Sequence, residues 1–199
     1  MAKRGKRDKS SGRDLPDVVP HPRYGTEIVP SGCTATEAEV RRSFYAYDKE
    51  TIFPETAILA DFPRQNYSTF PRGYYVDILK TCVGCRRRFV FYAREQRFWY
   101  EDLHFYIDTD CQYCPLCRRA QHEFRDGLRR YMDNINRNDL EPAALATLID
   151  DAVMLWRAGV LRGDSKLRRL RNLARRRIPD DPATARIDQA IAELEPPPR

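Results

Sequence analysis

Two Cys-x-x-Cys motifs constrain this chain more than any other feature. Cys82-Val-Gly-Cys85 and Cys114-Pro-Leu-Cys117 are separated by 28 residues. Four thiolates can surround a Zn²⁺ ion as a tetrahedron, with Zn–S bonds of about 2.3 Å, and a short turn supplies two of them at once. The spacing therefore predicts one zinc ion bound by Cys82, Cys85, Cys114 and Cys117.

The residues around the first motif have β-strand character. The segments YYVDILK and FVFY flank the CVGC turn, and Gly84 suits a turn that requires a residue with positive φ. A zinc ribbon carries its ligands at the tip of such a hairpin. Buried, hydrophobe-like cysteines and a redox Cys-x-x-Cys are the alternatives, but a redox motif opens a helix in a βαβ unit, and that pattern is not found here.

Cys111 leaves a choice of register, because Cys111-Gln-Tyr-Cys114 has the same spacing. Pro115 favours an extended Cys114, and Cys117 opens a predicted helix, so both favour the pair 114 and 117. Cys111 is then interpreted as a half-buried thiol, with a substitute ligand or a redox sensor as alternatives. Cys33 is not expected to be a ligand. Four thiolates saturate zinc and leave no position for water, so the ion is predicted to be structural.

The run from Tyr74 to Arg119 resembles the bacterial "probable zinc-ribbon domain" family of uncharacterised proteins. The resemblance covers 46 of 199 residues, and it implies a zinc-ribbon fold and the same four ligands. This chain departs from the family in the extra Cys111 and in Arg86-Arg-Arg88, which replaces a small residue. The residues that match are Tyr75-Val-Asp77, Cys82, Cys85, Phe89-Val-Phe91, Glu95-Gln96, Phe98-Trp99-Tyr100 and Cys114-Pro-Leu-Cys117-Arg118.

The whole chain is predicted to be an α+β protein in four segments. A capping box at Thr36 and Glu39 starts one short helix, and prolines at 54, 63 and 71 are expected to prevent a long element nearby. Beyond the ribbon, apolar residues recur at helical spacing and the loops are short, which predicts an antiparallel bundle. The predicted segments are a disordered basic tail (1–22), an irregular arm (23–73), the zinc ribbon (74–126) and the helical bundle (127–199).

Basic residues are clustered although the net charge is only +6. Between Arg157 and Arg177 there are nine basic residues and one acid, Asp164. Such clusters are typical of phosphate-backbone binding, so we predict a nucleic-acid or ribosome partner. A protein-interaction module is the alternative function. The purely structural interpretation of the helix arginines is that they are solvated or paired to acids such as Asp150 and Asp151. The predicted nucleic-acid contacts are Arg86, Arg87, Arg88, Arg168, Arg169, Arg171, Arg175 and Arg176, with Tyr92, Phe98, Trp99, Tyr100 and Tyr106 as candidates for base stacking.

Catalytic signatures are missing from the sequence. It contains no phosphate-binding loop, no His-Glu-x-x-His, no Gly-x-Ser-x-Gly and no zinc-deaminase motif, and it has only three histidines. We therefore expect a protein that is not an enzyme and has no small-molecule substrate. With no long apolar segment and no apolar stretch near the N-terminus, we also expect a cytoplasmic protein with reduced thiols and no membrane partner.

Overall fold

A computed structural model of the chain describes residues 12–193, which form two compact units. The first ends at Arg118 and the second begins at Arg119. The boundary predicted from the sequence lies between residues 126 and 127. Both positions lie inside one long helix, Pro115–Asn134, so no loop or composition change marks the boundary in the sequence.

Two β-sheets organise the N-terminal unit. The larger has four strands in the order β2-β6-β5-β4, in which β2 pairs with β6 in parallel and the other pairs are antiparallel. The smaller pairs β1 with β3. The strands are β1 (Arg13–Asp14), β2 (Val18–Val19), β3 (Glu27–Ile28), β4 (Thr51–Leu59), β5 (Tyr74–Thr81) and β6 (Arg88–Phe91).

Strand β4 runs for nine residues although it contains Pro54. Proline has no N–H to donate, but it is tolerated on edge strands and at bulges. β4 is an edge strand, and its register with β5 shifts between Phe53 and Ile58. The prediction that prolines prevent a long element here is therefore wrong, because the bulge and the edge position accommodate Pro54.

The segment predicted as an irregular arm is part of the folded unit. Its helix α1 (Glu37–Arg42) has the predicted capping box: the Glu39 N–H donates to Thr36 Oγ1, and the Thr36 N–H donates to the Glu39 carboxylate. Side chains from this segment pack against strand β5 to form one core. Its buried members are Val40, Phe44, Tyr47, Ile52, Ala57, Val76 and Ile78.

The predicted disordered tail, residues 1–22, is partly ordered. Residues 1–11 lie outside the described part of the chain. Val18 and Val19 are buried, and they pair with Arg88 and Phe89 of β6. Two adjacent valines bury enough apolar surface against the sheet to order this segment. The basic residues that precede it in the sequence had suggested disorder instead.

Helices form the rest of the structure. α2 (Ala93–Arg97) continues into one π-helical turn, Phe98–Asp102. In the C-terminal unit the predicted leucine faces are buried in one core that includes Leu145, Leu155, Leu167 and Leu170. Among residues 12–193, no helix is both long enough and apolar enough to cross a membrane. The remaining helices are α3 (Pro115–Asn134), α4 (Pro142–Arg157), α5 (Ser165–Arg177) and α6 (Pro182–Ala192).

Candidate metal centre

The four predicted ligands converge on one point. The Sγ atoms of Cys82, Cys85, Cys114 and Cys117 all lie within 4.8 Å of one another, and those of Cys85 and Cys114 are 3.8 Å apart. A tetrahedron with Zn–S bonds of about 2.3 Å has S···S edges of about 3.8 Å. The cluster therefore suits one structural Zn²⁺ ion.

A tight turn between β5 and β6 holds the first cysteine pair. The Cys82 N–H donates to the Arg87 carbonyl and the Arg86 N–H donates to the Cys82 carbonyl, each at 2.9 Å. The residue with positive φ in this turn is Arg86, at 63°, so the assignment of that role to Gly84 is wrong. A Cβ at position 84 would lie 3.4 Å from Cys117 Sγ and 3.4 Å from the Tyr113 ring, which is ordinary contact distance, so packing does not require glycine there.

The second cysteine pair lies at the start of helix α3. The Arg118 N–H donates to the Cys114 carbonyl in the first turn. The Cys114 N–H donates to Cys82 Sγ at 3.3 Å, and the Val83 N–H donates to the Gln112 carbonyl at 3.0 Å. The second pair is thus carried by a helix rather than by a second hairpin, and backbone hydrogen bonds join it to the first.

The electrostatics of the cluster call for a cation. Burial raises the pKa of the Cys82 thiol, but N–H groups of Cys114, Cys85 and Gly84 outweigh it and lower that pKa to about 6. The pKa of Cys117 is raised to about 12, mainly because it shares hydrogen bonds with Cys114 and the other sulfurs and also because of burial. The thiolate form is therefore favoured at Cys82 and disfavoured at Cys117. Four adjacent thiolates require the charge of a bound ion.

Cys111 lies outside the cluster. Its side chain is buried, its Sγ is 3.5 Å from the Tyr113 carbonyl oxygen, and burial raises its pKa to about 12. The choice of Cys114 and Cys117 over Cys111 agrees with this geometry, although Cys111 is fully rather than half buried. Cys33 is likewise not among the clustered cysteines.

A buried ion pair supports the second ligand pair. Arg118, the residue after Cys117, places its Nη1 atom 2.7 Å from Glu95 Oε1, and its guanidinium lies 5.1 Å from the centre of the Trp99 ring. Glu95 Oε2 is also 3.5 Å from His21 Nε2. In the sequence, Glu95 and Arg118 stand out only as residues that match the zinc-ribbon pattern, and no motif marks His21.

Two further pattern residues tie helix α2 to the sheet. The Asp77 carboxylate accepts a 2.6 Å hydrogen bond from the Ala93 N–H. Gln96 Nε2 donates to the carbonyls of Val76 and Phe91, at 2.6 and 2.9 Å, and so bridges β5 and β6. These contacts fix α2, and therefore Glu95, relative to the hairpin that carries Cys82 and Cys85.

The predicted arginine contacts fall into two groups in different units. Arg86, Arg87 and Arg88 are exposed on the hairpin turn of the N-terminal unit. The other five lie on α5, whose leucines are buried while its arginines are exposed or half-buried. Three of these five already have partners: Arg168 with Asp164, Arg175 with Asp188, and Arg169 with Asn138.

The acids that were expected to neutralise α5 are engaged elsewhere. Asp150 forms an ion pair with Arg186, and Asp151 forms one with Arg130. The aromatic residues predicted to stack on bases are mostly structural, because Tyr92 and Tyr100 are buried and Trp99 is half-buried. Phe98 and Tyr106 remain exposed.

Comparison with known families agrees with this geometry. Residues 76–126 match the family described as "Probable treble clef domain". The match overlaps the zinc-ribbon resemblance over residues 76–119 and contains all four clustered cysteines. It is a segment match, because those 51 residues make up about a quarter of the 199. Searches of curated proteins and of solved structures give no significant match.

The treble clef description also explains why the two cysteine pairs differ in setting. One pair lies on a hairpin turn and the other on the first turn of a helix. Zinc would add a link between the two elements to the backbone hydrogen bonds that already join them. Residues 76–126 are accordingly a treble clef segment with a structural zinc site, within an α+β chain.

Proposed function

We propose that this protein binds nucleic acid without catalysing a reaction, and that Arg86, Arg87 and Arg88 make its main phosphate contacts. One observation carries the proposal. These three arginines are consecutive and exposed, and none has an ion-pair or side-chain hydrogen-bond partner within residues 12–193. Arginine pairs with phosphate through its planar set of donors, which suits this cluster to a nucleic-acid backbone.

The zinc site makes the arginine cluster rigid. Arg86 and Arg87 share backbone hydrogen bonds with Cys82, and Arg88 begins strand β6. Because the backbone is already ordered, binding costs less conformational entropy than it would for a flexible basic tail. Val83 is 51% exposed in the same turn and offers an apolar contact for a sugar or a base.

Helix α5 has a smaller role in this proposal. Arg168, Arg169 and Arg175 would have to give up existing partners to contact phosphate, whereas Arg176 is exposed and has no such partner in the described part of the chain. The proposal of a non-catalytic protein is supported by the four sulfurs, which fill the coordination sphere of zinc and leave no position for an activated water.

The test measures the binding of labelled single-stranded RNA and duplex DNA by fluorescence anisotropy, at salt concentrations between 50 and 300 mM. For single strands the logarithm of the binding constant falls with a slope of about 0.7 per neutralised phosphate. The triple variant Arg86→Gln, Arg87→Gln, Arg88→Gln should weaken binding and reduce the slope by about 2. Zinc content should stay the same, because no ligand is changed.

A matched triple variant separates this surface from net charge. Arg137→Gln, Arg157→Gln, Arg186→Gln removes the same three charges from exposed arginines that already form ion pairs. It should reduce binding and slope much less. Equal losses in both triple variants, or no binding by the wild-type protein at 50 mM salt, would contradict the proposal.

A protein partner is the second candidate function. It is favoured by large apolar side chains exposed on the N-terminal unit, such as Phe70 at 74%, Tyr45 at 69% and Leu59 at 66%. Apolar contacts of this kind persist at high salt, whereas phosphate contacts do not. Retention of a specific protein after a 1 M salt wash, together with absence of nucleic acid, would support this candidate.

A further inference from the structure

A cavity of about 810 Å³ lies in the N-terminal unit, away from the cysteine cluster. Small-molecule sites commonly measure about 300 to 1,000 Å³. Its walls come from the segment after β2, from the bulged part of β4, from β5 and from α2. The residues that matter for its chemistry are Arg23, Glu27, Asp77, Tyr92, Arg94 and Arg97.

Three arginines give this cavity a positive side. Arg23, Arg94 and Arg97 are exposed, and their side chains form neither an ion pair nor a hydrogen bond with any residue between 12 and 193. Glu27 and Asp77 are the acidic residues on the lining. Three guanidinium groups around one opening favour a phosphate over a singly charged carboxylate, because phosphate carries more charge and accepts more hydrogen bonds.

Asp77 adds a carboxyl group that can accept hydrogen bonds to the same cavity. Its side chain is 95% buried, since only 5% of the residue is exposed, and Oδ1 accepts the Ala93 N–H. Within the described residues no group donates to Oδ2. Because Asp77 lies on the cavity lining, this oxygen is available to accept a hydrogen bond from a hydroxyl or an N–H of whatever occupies the cavity.

We propose that this cavity binds a phosphate ester of about the size of a mononucleotide. Its phosphate contacts Arg94, Arg97 and Arg23, and a hydroxyl or N–H of its sugar or base donates to Asp77. The shared chemistry is a phosphorylated sugar that carries donors, either free or as one nucleotide of a short RNA. This site does not depend on the surface formed by Arg86, Arg87 and Arg88, so the two proposals can fail separately.

Titration calorimetry on the zinc-loaded full chain tests the proposal. The probes are the four nucleoside 5′-monophosphates, ribose 5-phosphate, inorganic phosphate and an RNA tetranucleotide. At least one ester should bind with a dissociation constant of about 1 mM or tighter, and more tightly than inorganic phosphate. Binding of a monophosphate but not of the tetranucleotide identifies a free metabolite as the ligand, and the reverse identifies RNA. No heat from any ester would overturn the proposal.

Variants of the lining residues test which of them contact the phosphate and which contact the sugar or base of the ligand. Arg94→Gln, Arg97→Gln should weaken every phosphate-containing probe at least tenfold, because it removes charge-assisted hydrogen bonds to the phosphate. Arg137→Gln, Arg157→Gln, at exposed ion-paired arginines of the C-terminal unit, is the control with the same charge change and should leave binding of the monophosphates and ribose 5-phosphate unchanged. Asp77→Asn should weaken the esters but not inorganic phosphate. Equal effects of the two double variants would overturn the site, and that result does not depend on whether Asp77→Asn folds.

Discussion

The Glu95 carboxylate and the Arg118 guanidinium meet at 2.7 Å. Glu95 lies on helix α2, next to the hairpin that carries the first two ligands, and Arg118 directly follows the last ligand, Cys117. The pair therefore connects helix α2, beside the first cysteine pair, to the start of helix α3, which carries the second pair, and it does so independently of the metal. Its two side chains are 10% and 19% exposed, so solvent screens this contact only partly.

Removing one member of this pair should be costly. Breaking a buried ion pair leaves an unpaired buried charge, which typically costs about 3 to 5 kcal/mol, and partial exposure of Arg118 lowers our expectation to about 2 to 4 kcal/mol for Arg118→Gln. Arg119→Gln is the control, because the ion pair between Arg119 and Glu123 is exposed and worth at most about 1 kcal/mol. Urea unfolding at saturating zinc measures both. Equal losses would show that the Glu95 contact contributes little.

Cys111 and Cys117 should respond differently to serine substitution. Cys117→Ser removes one of four sulfurs, so bound zinc per chain should fall well below one after dialysis against a weak chelator. Cys111→Ser should retain one zinc, since Cys111 lies outside the cluster, and should cost about 1 to 2 kcal/mol for a hydroxyl in an apolar site. Metal analysis of both variants shows which of the two cysteines is a zinc ligand. Loss of zinc from Cys111→Ser, with zinc retained in Cys117→Ser, would show that Cys111 is the ligand and Cys117 is not.

Zinc removal should unfold one unit and spare the other. Structural zinc contributes about 10 to 16 kcal/mol, which is comparable to the whole stability of a domain, about 5 to 15 kcal/mol. The C-terminal unit has a separate core that includes Leu145, Ile149 and Leu167. Hydrogen exchange with and without chelator should show lost protection over residues 74–118 and retained protection in α4, α5 and α6. Loss of protection in all three helices would contradict this.

Glycine should be better than arginine at position 86. Arg86 has a φ of 63°, a left-handed conformation that costs an L-residue about 1 to 2 kcal/mol. Arg86→Gly removes that strain but adds freedom to the unfolded chain, so we expect a net gain of about 0.5 to 1 kcal/mol. Arg87→Gly makes the same charge change at a position without positive φ and should not stabilise the protein. Thermal unfolding at saturating zinc distinguishes the two.

Asp77 should make stability depend on pH. Burial raises its pKa to about 7, despite the opposing hydrogen bond from Ala93, so the native state keeps a proton that the unfolded chain loses near pH 4. Stability from this group therefore falls as pH rises from about 4 to about 7. The free energy of unfolding of Asp77→Asn minus that of wild type should rise over this range by about 1 to 3 kcal/mol.

Taking the difference between the two proteins cancels the contribution of zinc-ligand protonation, which both share. Asp48→Asn, at an exposed position on the same unit, is the control for loss of one carboxylate. A flat profile for Asp77→Asn would show that its carboxyl is ionised throughout this range in the native state.

Several features were available in the sequence because they depend on neighbouring residues. The capping box of α1 is a contact between Thr36 and Glu39, three residues apart. The leucine face of α5 follows from helical periodicity, and each cysteine pair follows from its own spacing. Strand β4 shows the opposite case. Pro54 argues against a strand locally, and only the edge position and the bulge, which involve β5, make it acceptable.

The sequence by itself determined the zinc ligands, the α+β class and the helices of the C-terminal unit, because short-range spacing and periodicity encode all three. Tertiary structure decided that Arg86 rather than Gly84 takes the left-handed conformation. It also brought His21 to Glu95 and placed Asp77 in a cavity with three arginines. These contacts join residues far apart in the chain, and their geometry depends on how the sheet and helices pack rather than on any local pattern.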